Sequence, residues 1–169
     1  MMRMQAASNI TLRNMEKRLA KIEDAIKQRT RSPDAINDNL IAPFLPLSSI
    51  TAIKEFDAFL KTSNEAVIQF KEFMSKTGGH NGKDNIHRIL NKTITNECAI
   101  QCSWKGLRNN FRISDLHLIK IMKREVTLRY AMFTETEFDA ITSEWIRFAN
   151  QRSKRAKAKE TVNEDNEAN

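Results

Sequence analysis

Glycine and proline are scarce in this chain, at 4 and 3 of 169 residues. An all-β sandwich or a glycine-rich nucleotide-binding sheet needs more turn punctuation than that, so helices joined by few tight turns are expected. Long apolar runs are missing too. No stretch approaches the about 18 apolar residues that span a bilayer, and the segment from Met1 to Leu12 lacks the continuous apolar core of a secretion signal. The expectation is an intracellular protein with no membrane partner. The two cysteines, Cys98 and Cys102, stand four residues apart in a stretch that reads as helix. That spacing holds side chains about 6 Å apart, awkward for a disulfide, so reduced thiols in a reducing compartment are expected.

What is present suits one helical core. The length is that of one ordinary domain plus extensions, and 9 Phe and 2 Trp can fill its interior. The net charge of +7 is unevenly spread. Lys and Arg outnumber Asp and Glu by 8 to 3 over residues 1–31 and by 10 to 4 over residues 83–129, whereas residues 130–151 hold 1 cation and 4 carboxylates. Such asymmetry points to a surface facing a polyanion.

The pattern along the chain predicts an all-α protein, with a short N-terminal coiled-coil helix followed by a compact domain of about five helices. In residues 1–31, Leu12, Met15, Leu19, Ile22 and Ile26 alternate by three and four, which is a heptad seam. So short a helix is marginal alone. It needs a second copy of the chain or a surface of its own protein, and a homodimer is the expectation carried forward. Residues 32–44, with Pro33, Asp34, Asn37, Asp38, Asn39 and Pro43, read as a linker. The helical domain is expected over residues 45–152. Ser48 or Ser49 caps a helix with Ile50, Ile53, Phe56, Phe59 and Leu60, and Ser63 caps a second with Val67, Phe70, Phe73 and Met74. The second ends at Gly78-Gly79, as a left-handed cap requires. A third helix from Asp84 is interrupted near Thr95 and Asn96, with Asn96 a candidate cap. Residues 104–113 read as a loop or a small hairpin. Ser114 is expected to cap the next helix, and Thr134 with Glu137 spells a capping box for the last, whose buried stripe is Phe138, Ile141, Trp145 and Phe148. Residues 153–169 read as a basic, then acidic, disordered tail.

Candidate chemistry is thin. His80, His87, Cys98 and Cys102 include residue types that zinc accepts, yet ordinary zinc modules pair Cys through a tight turn, and that spacing is absent. Cys102 as a nucleophile needs a His and an orienting partner that the pattern does not supply. The run Gly78-Gly79-His80-Asn81-Gly82-Lys83 lacks the Gly-Lys-Ser/Thr ending and preceding strand of a phosphate loop, so an inter-helical turn is the reading. No catalytic residue, metal, cofactor or small-molecule substrate is inferred, and the chain reads as a binder rather than an enzyme. The basic constellation is stronger: Lys105, Arg108 and Arg112 on the loop and Lys120, Lys123 and Arg124 on the next helix suit phosphates, with Asn109 and Asn110 able to read base edges. The bland alternative is a solvated basic face. Arg152, Lys154, Arg155, Lys157 and Lys159 form a second basic run, read as a nuclear-import candidate, a phosphate-gripping arm, or cations suited to a helix C-terminus.

The order Leu45-Pro46-Leu47, Gly78-Gly79, Thr95-Asn96-Glu97, Trp104-Lys105-Gly106, Phe111 with Leu116 and Leu118, then Trp145 and Ala149, resembles an animal family of domains of unknown function, numbered four-eight-zero-six, over roughly residues 45–152. The resemblance implies no activity and no catalytic residues. It implies company among transposon-associated or nuclear proteins that carry a DNA-binding or coiled-coil segment upstream. This chain has the coiled-coil segment and no zinc finger before the domain. Helix order and the late Trp are also loosely similar to BEN domains, helical DNA- and protein-binding modules of chromatin factors. The functional expectation is a nuclear adaptor associated with DNA or chromatin proteins. Its alternatives are a cytoplasmic location and a protein-interaction module with no nucleic-acid role.

Overall fold

The computed structural model describes the backbone of residues 39–167 and the side chains of residues 39–159. The chain divides into two units, Met1–Asp38 and Asn39–Asn169. The first unit, with the expected seam Leu12, Met15, Leu19, Ile22 and Ile26, lies outside the described residues.

The second unit is all-α apart from two very short strands. Its helices are α1 (Ile50–Thr62), α2 (Asn64–Thr77), α3 (Gly82–Thr93), α4 (Asn96–Ile100), α5 (His117–Arg129), α6 (Glu135–Arg147) and α7 (Ala149–Glu167). Between α4 and α5 lie β1 (Cys102–Ser103), a 3₁₀ turn (Leu107–Asn109) and β2 (Phe111–Arg112). Among the described residues no helix is long and apolar enough to cross a membrane.

Local signals set most helix starts. Ser49 Oγ accepts from Ala52 N at 3.1 Å and Ser63 Oγ accepts from Ala66 N at 3.1 Å, so each serine satisfies an amide that the first helical turn leaves open. The α2–α3 turn is tied down where the phosphate-loop lookalike stood. Gly78 has φ 58° and ψ −172°, a positive-φ backbone that glycine tolerates but not the expected left-handed helical cap, Asn81 Oδ1 accepts from Asp84 N at 2.9 Å, and Tyr130 Oη donates to Gly79 O at 2.9 Å. A Cβ at Gly79 would come within 2.6 Å of the Asn85 backbone, which explains the second glycine of the pair. The Thr134–Glu137 capping box forms in full.

The core joins α1, α2, α3, α5 and α6, with α5 packed against the other four. Phe56, Phe70, Phe138, Leu47, Ile86 and Leu118 are among its fully buried side chains. Phe56 meets Phe70 edge-on at 5.4 Å between ring centroids. Part of the expected linker folds onto this core. Ile41 is buried, Leu40 N donates to Gln69 Oε1 at 2.8 Å, and Phe44 stacks on Phe59 at 5.2 Å. Leu47 forms a bridge with Ile94, donating to Thr93 O at 2.8 Å and accepting from Thr95 N at 3.0 Å. The prolines and Asn/Asp of that stretch mark a change of direction, and the apolar side chains between them are what dock.

Several expectations are corrected by tertiary contacts. Thr95, not Asn96, caps α4, because the Asn96 side chain accepts from Arg152 Nε at 3.0 Å instead. The region 104–113 is no hairpin, since β1 and β2 run parallel. Ser114 does not cap α5. The cap is the buried carboxylate of Asp57, whose Oδ1 accepts from Leu118 N at 2.9 Å across 61 residues of sequence, while its Oδ2 lies 2.6 Å from Lys61 Nζ. In α6 the buried stripe is Phe138, Thr142, Trp145 and Ile146, with Ile141 and Phe148 only partly covered. The helix stops at Phe148 and α7 departs from that corner. Finally, α7 continues to Glu167. Alanine, lysine, arginine and glutamate carry it by intrinsic propensity where no apolar stripe is left.

Asp57→Ala should lower unfolding stability by about 2 kcal/mol, the scale of a lost buried hydrogen bond to a charged group. Asp57→Asn, which keeps an acceptor, should lose clearly less. Urea titrations followed by circular dichroism test this, and equal losses in the two variants would rule out the capping role.

Candidate nucleic-acid interface

Parallel strands usually need a crossover of a dozen residues or more, yet residues 104–110 close β1 onto β2. The loop manages this with backbone in the left-handed region: Gly106 at φ 74°, Arg108 at φ 57° and Asn109 at φ 59°. For Arg108 and Asn109 that conformation costs about 1 kcal/mol each, paid for by the contacts around it. Ser103 Oγ accepts from Leu107 N at 2.8 Å, Asn110 N donates to Leu107 O at 3.1 Å, and Ile113, fully buried, anchors the exit. The consequence is a loop tip held outward, with Leu107 65% exposed.

Beneath the tip lies a cleft of about 460 Å³ between this loop, the end of α4, the last turns of α6 and the start of α7. Its apolar wall is Ile100, Trp104, Leu107 and Ile146, and its polar groups include Ser143, Asn110 and Asn150. Lys105, Arg108 and Arg147 supply the charge, and among the described residues that line it none is acidic. Arg147 is loosely held. Its guanidinium lies 4.7 Å over the Phe148 ring and 3.8 Å from Glu144, and its side chain is 70% exposed.

The structure thus brings together part of the expected basic constellation. Lys105, Arg108 and Asn110 line the cleft, and Asn109 is exposed on the same loop. Arg112 turns to its neighbours, donating to Ser114 Oγ at 2.9 Å and pairing with Asp115 at 3.0 Å. Lys120 and Arg124 are exposed on α5 and do not line the cleft. Lys123 is engaged by Asp139 of α6 at 2.7 Å. Arg147 and Asn150 were not singled out from the sequence. Arg147 is the single cation between residues 130 and 151, and a count by segment hides it among four carboxylates.

The second basic run divides. Arg152 belongs to the fold: its guanidinium lies 3.8 Å over the Trp145 ring, and it donates to Asn96 Oδ1 and to the Trp145 carbonyl. Burial lowers its pKa to about 10, which leaves it charged at neutral pH. Lys154, Arg155, Lys157 and Lys159 are exposed along α7. Arg155, with Lys83 and His87 of α3, borders a second cleft of about 360 Å³ beside Trp145. Burial, then the nearby Lys83, pushes the His87 pKa down, so that imidazole is neutral at pH 7.

Of His80, His87, Cys98 and Cys102, the two cysteines lie together without forming a zinc or thiol site. His80 is exposed, whereas Cys98 and Cys102 are both buried and free. Cys102 donates to the Cys98 carbonyl at 3.4 Å. Hydrogen bonding with Cys98, then burial, pushes the Cys102 thiol well above its ordinary range. Among the described residues no three His, Cys, Asp or Glu side chains gather as a metal site would require.

Fold and site together define a small all-α domain with a basic, apolar-walled cleft. The chain belongs to the family described as Domain of unknown function (DUF4806), whose model matches residues 43–139, more than half of its length. That match begins close to the expected domain boundary and ends inside α6, ahead of Arg147 and Asn150. It lends nothing to the BEN-like likeness. No curated protein and no solved structure matches the chain.

Both thiols should resist a disulfide reagent in the native protein and react only after denaturation, because both sulfurs are buried. A thiol count against time, with and without denaturant, checks this. Fast labelling of Cys102 in the folded protein would contradict the burial and reopen a catalytic role.

Proposed function

We propose that the protein is a nuclear adaptor associated with nucleic acid, in which the β1–β2 loop and the end of α6 face the phosphates. The supporting observation is the convergence of Lys105, Arg108 and Arg147 on a cleft lined by no carboxylate among the described residues. Cations placed this way release counterions on meeting a phosphate backbone, the term that supplies most sequence-independent affinity. The left-handed backbone at Arg108 supports the same reading, because strain held at one exposed tip is a common mark of a working surface. In this proposal the seam from Leu12 to Ile26 joins two copies, and Lys154, Arg155, Lys157 and Lys159 serve import or grip phosphate. No catalytic step is assigned.

A second reading, a protein-interaction module without nucleic acid, has an observation of its own. Leu128 at the end of α5 is 69% exposed and Met132, four residues on, is 94% exposed, an apolar pair far more open than the core demands.

Replacing Lys105, Arg108 and Arg147 by Glu should weaken duplex or single-strand binding by about tenfold or more at low salt and reduce the slope of log affinity against log salt by about one per lost contact. Lys123→Gln, whose ammonium is already engaged by Asp139, should change neither. An unaltered salt titration in the triple variant would sink the nucleic-acid reading. The interaction reading instead expects partners recovered after nuclease treatment and lost on changing Leu128 and Met132 to Asp, with no oligonucleotide bound by the parent protein at low salt.

A further inference from the structure

The cleft's shape and lining are more specific than its charge. We infer that it takes an unpaired base, so that the nucleic acid recognised is single-stranded; this rests on the nucleic-acid reading above and narrows it. A volume of about 460 Å³ lies toward the small end of ligand clefts, enough for one nucleotide and too little for the flank of a duplex. In a duplex the base faces are buried in the stack, and only groove edges and phosphates are offered to a protein. An apolar wall of Ile100, Trp104, Leu107 and Ile146 meets no base face there, only the small methyl groups of thymine. An unpaired base brings its π-face to such a wall, and aromatic side chains are the usual platform.

The rim completes the match. Lys105 and Arg108 on one side and Arg147 on the other can hold the phosphates that flank the inserted base. The amides of Asn110 and Asn150 carry both donors and acceptors for a base edge. Major-groove reading calls for a projecting helix or a two-stranded ribbon. Here the ribbon is two residues long on each strand, and on α5 the central cation of the Lys120, Lys123 and Arg124 group is tied to Asp139. The exposed Leu107 fits the same account, as an apolar tip able to fold over an inserted base.

The full chain would be titrated at low salt against fluorescein-labelled oligothymidylate of about twelve nucleotides, a length within common single-strand site sizes, and against the same length as duplex. Tighter binding of the single strand is expected, together with quenching of Trp104 fluorescence; Trp145 is buried under Arg152 and reports the folded state. Trp104→Ala should weaken single-strand binding about tenfold and Trp104→Phe should restore most of it, the range of one lost base–aromatic stack. Because Trp104 also packs on the core, Leu107→Ser provides a variant at an exposed position, expected to weaken the single strand severalfold and leave the duplex unchanged. Duplex bound as tightly as single strand, or polyphosphate bound as tightly as either, overturns the inference while sparing the broader reading. Failure of every oligonucleotide at low salt overturns both, and so does preferential binding of a labelled peptide of Asp, Glu and Leu.

Discussion

The buried carboxylate of Asp57 is the contact on which the arrangement of this domain turns. It sits 3% exposed in α1 and receives the amide of Leu118 at the start of α5. Burying a charge is costly unless its oxygens are occupied. Here one oxygen accepts a helix N-terminal amide, where the backbone dipole favours an anion, and the other meets the Lys61 ammonium at 2.6 Å. Lys61 is largely exposed, so the amide carries most of the stabilisation and the ion pair adds little. The start of α5 is thereby fixed against α1. Since β2 runs into α5 through the buried Ile113, the exit of the basic loop is fixed as well.

The other wall of the cleft depends on the corner between α6 and α7. Trp145 donates to Asn91 Oδ1 of α3 at 3.2 Å, and the Arg152 guanidinium lies over its ring while bonding to Asn96 of α4. Ser153 adds a bond to Glu97 at 3.2 Å. These contacts lock the first turn of α7 onto α4, and that places Arg147 and Asn150 across from the loop bearing Lys105 and Arg108. A cation read from the sequence as part of a basic run is thus a joint of the fold, and a cation lost among carboxylates stands at the candidate site.

Legibility followed the range of the interaction. Ser49, Ser63, the Gly78-Gly79 stop and the Thr134–Glu137 box act within a few residues of themselves, and all four appear where the pattern put them. The Asp57 cap, the Leu47–Ile94 bridge and the Arg152–Asn96 bond join residues far apart in the chain, and nothing in their local sequence announces a partner. The loop stood between: Gly106, Asn109 and Asn110 marked it correctly as irregular, but its parallel closure depends on Arg108 taking a conformation that arginine alone does not favour.

By itself, then, the sequence determined the helical class, the starts of α1, α2 and α6, the stop at Gly78-Gly79 and the apolar stripes of α1 and α2, because periodicity, capping and composition act over one or two turns of chain. Only the tertiary structure decided which cations gather and which are spent. Lys123 is paired with Asp139 and Arg152 is packed on Trp145, whereas Lys105, Arg108 and Arg147 meet around one cleft. Charge is written in the sequence, but its availability depends on neighbours brought close by packing, such as Asp139 for Lys123 and Asn96 for Arg152, which no local pattern announces.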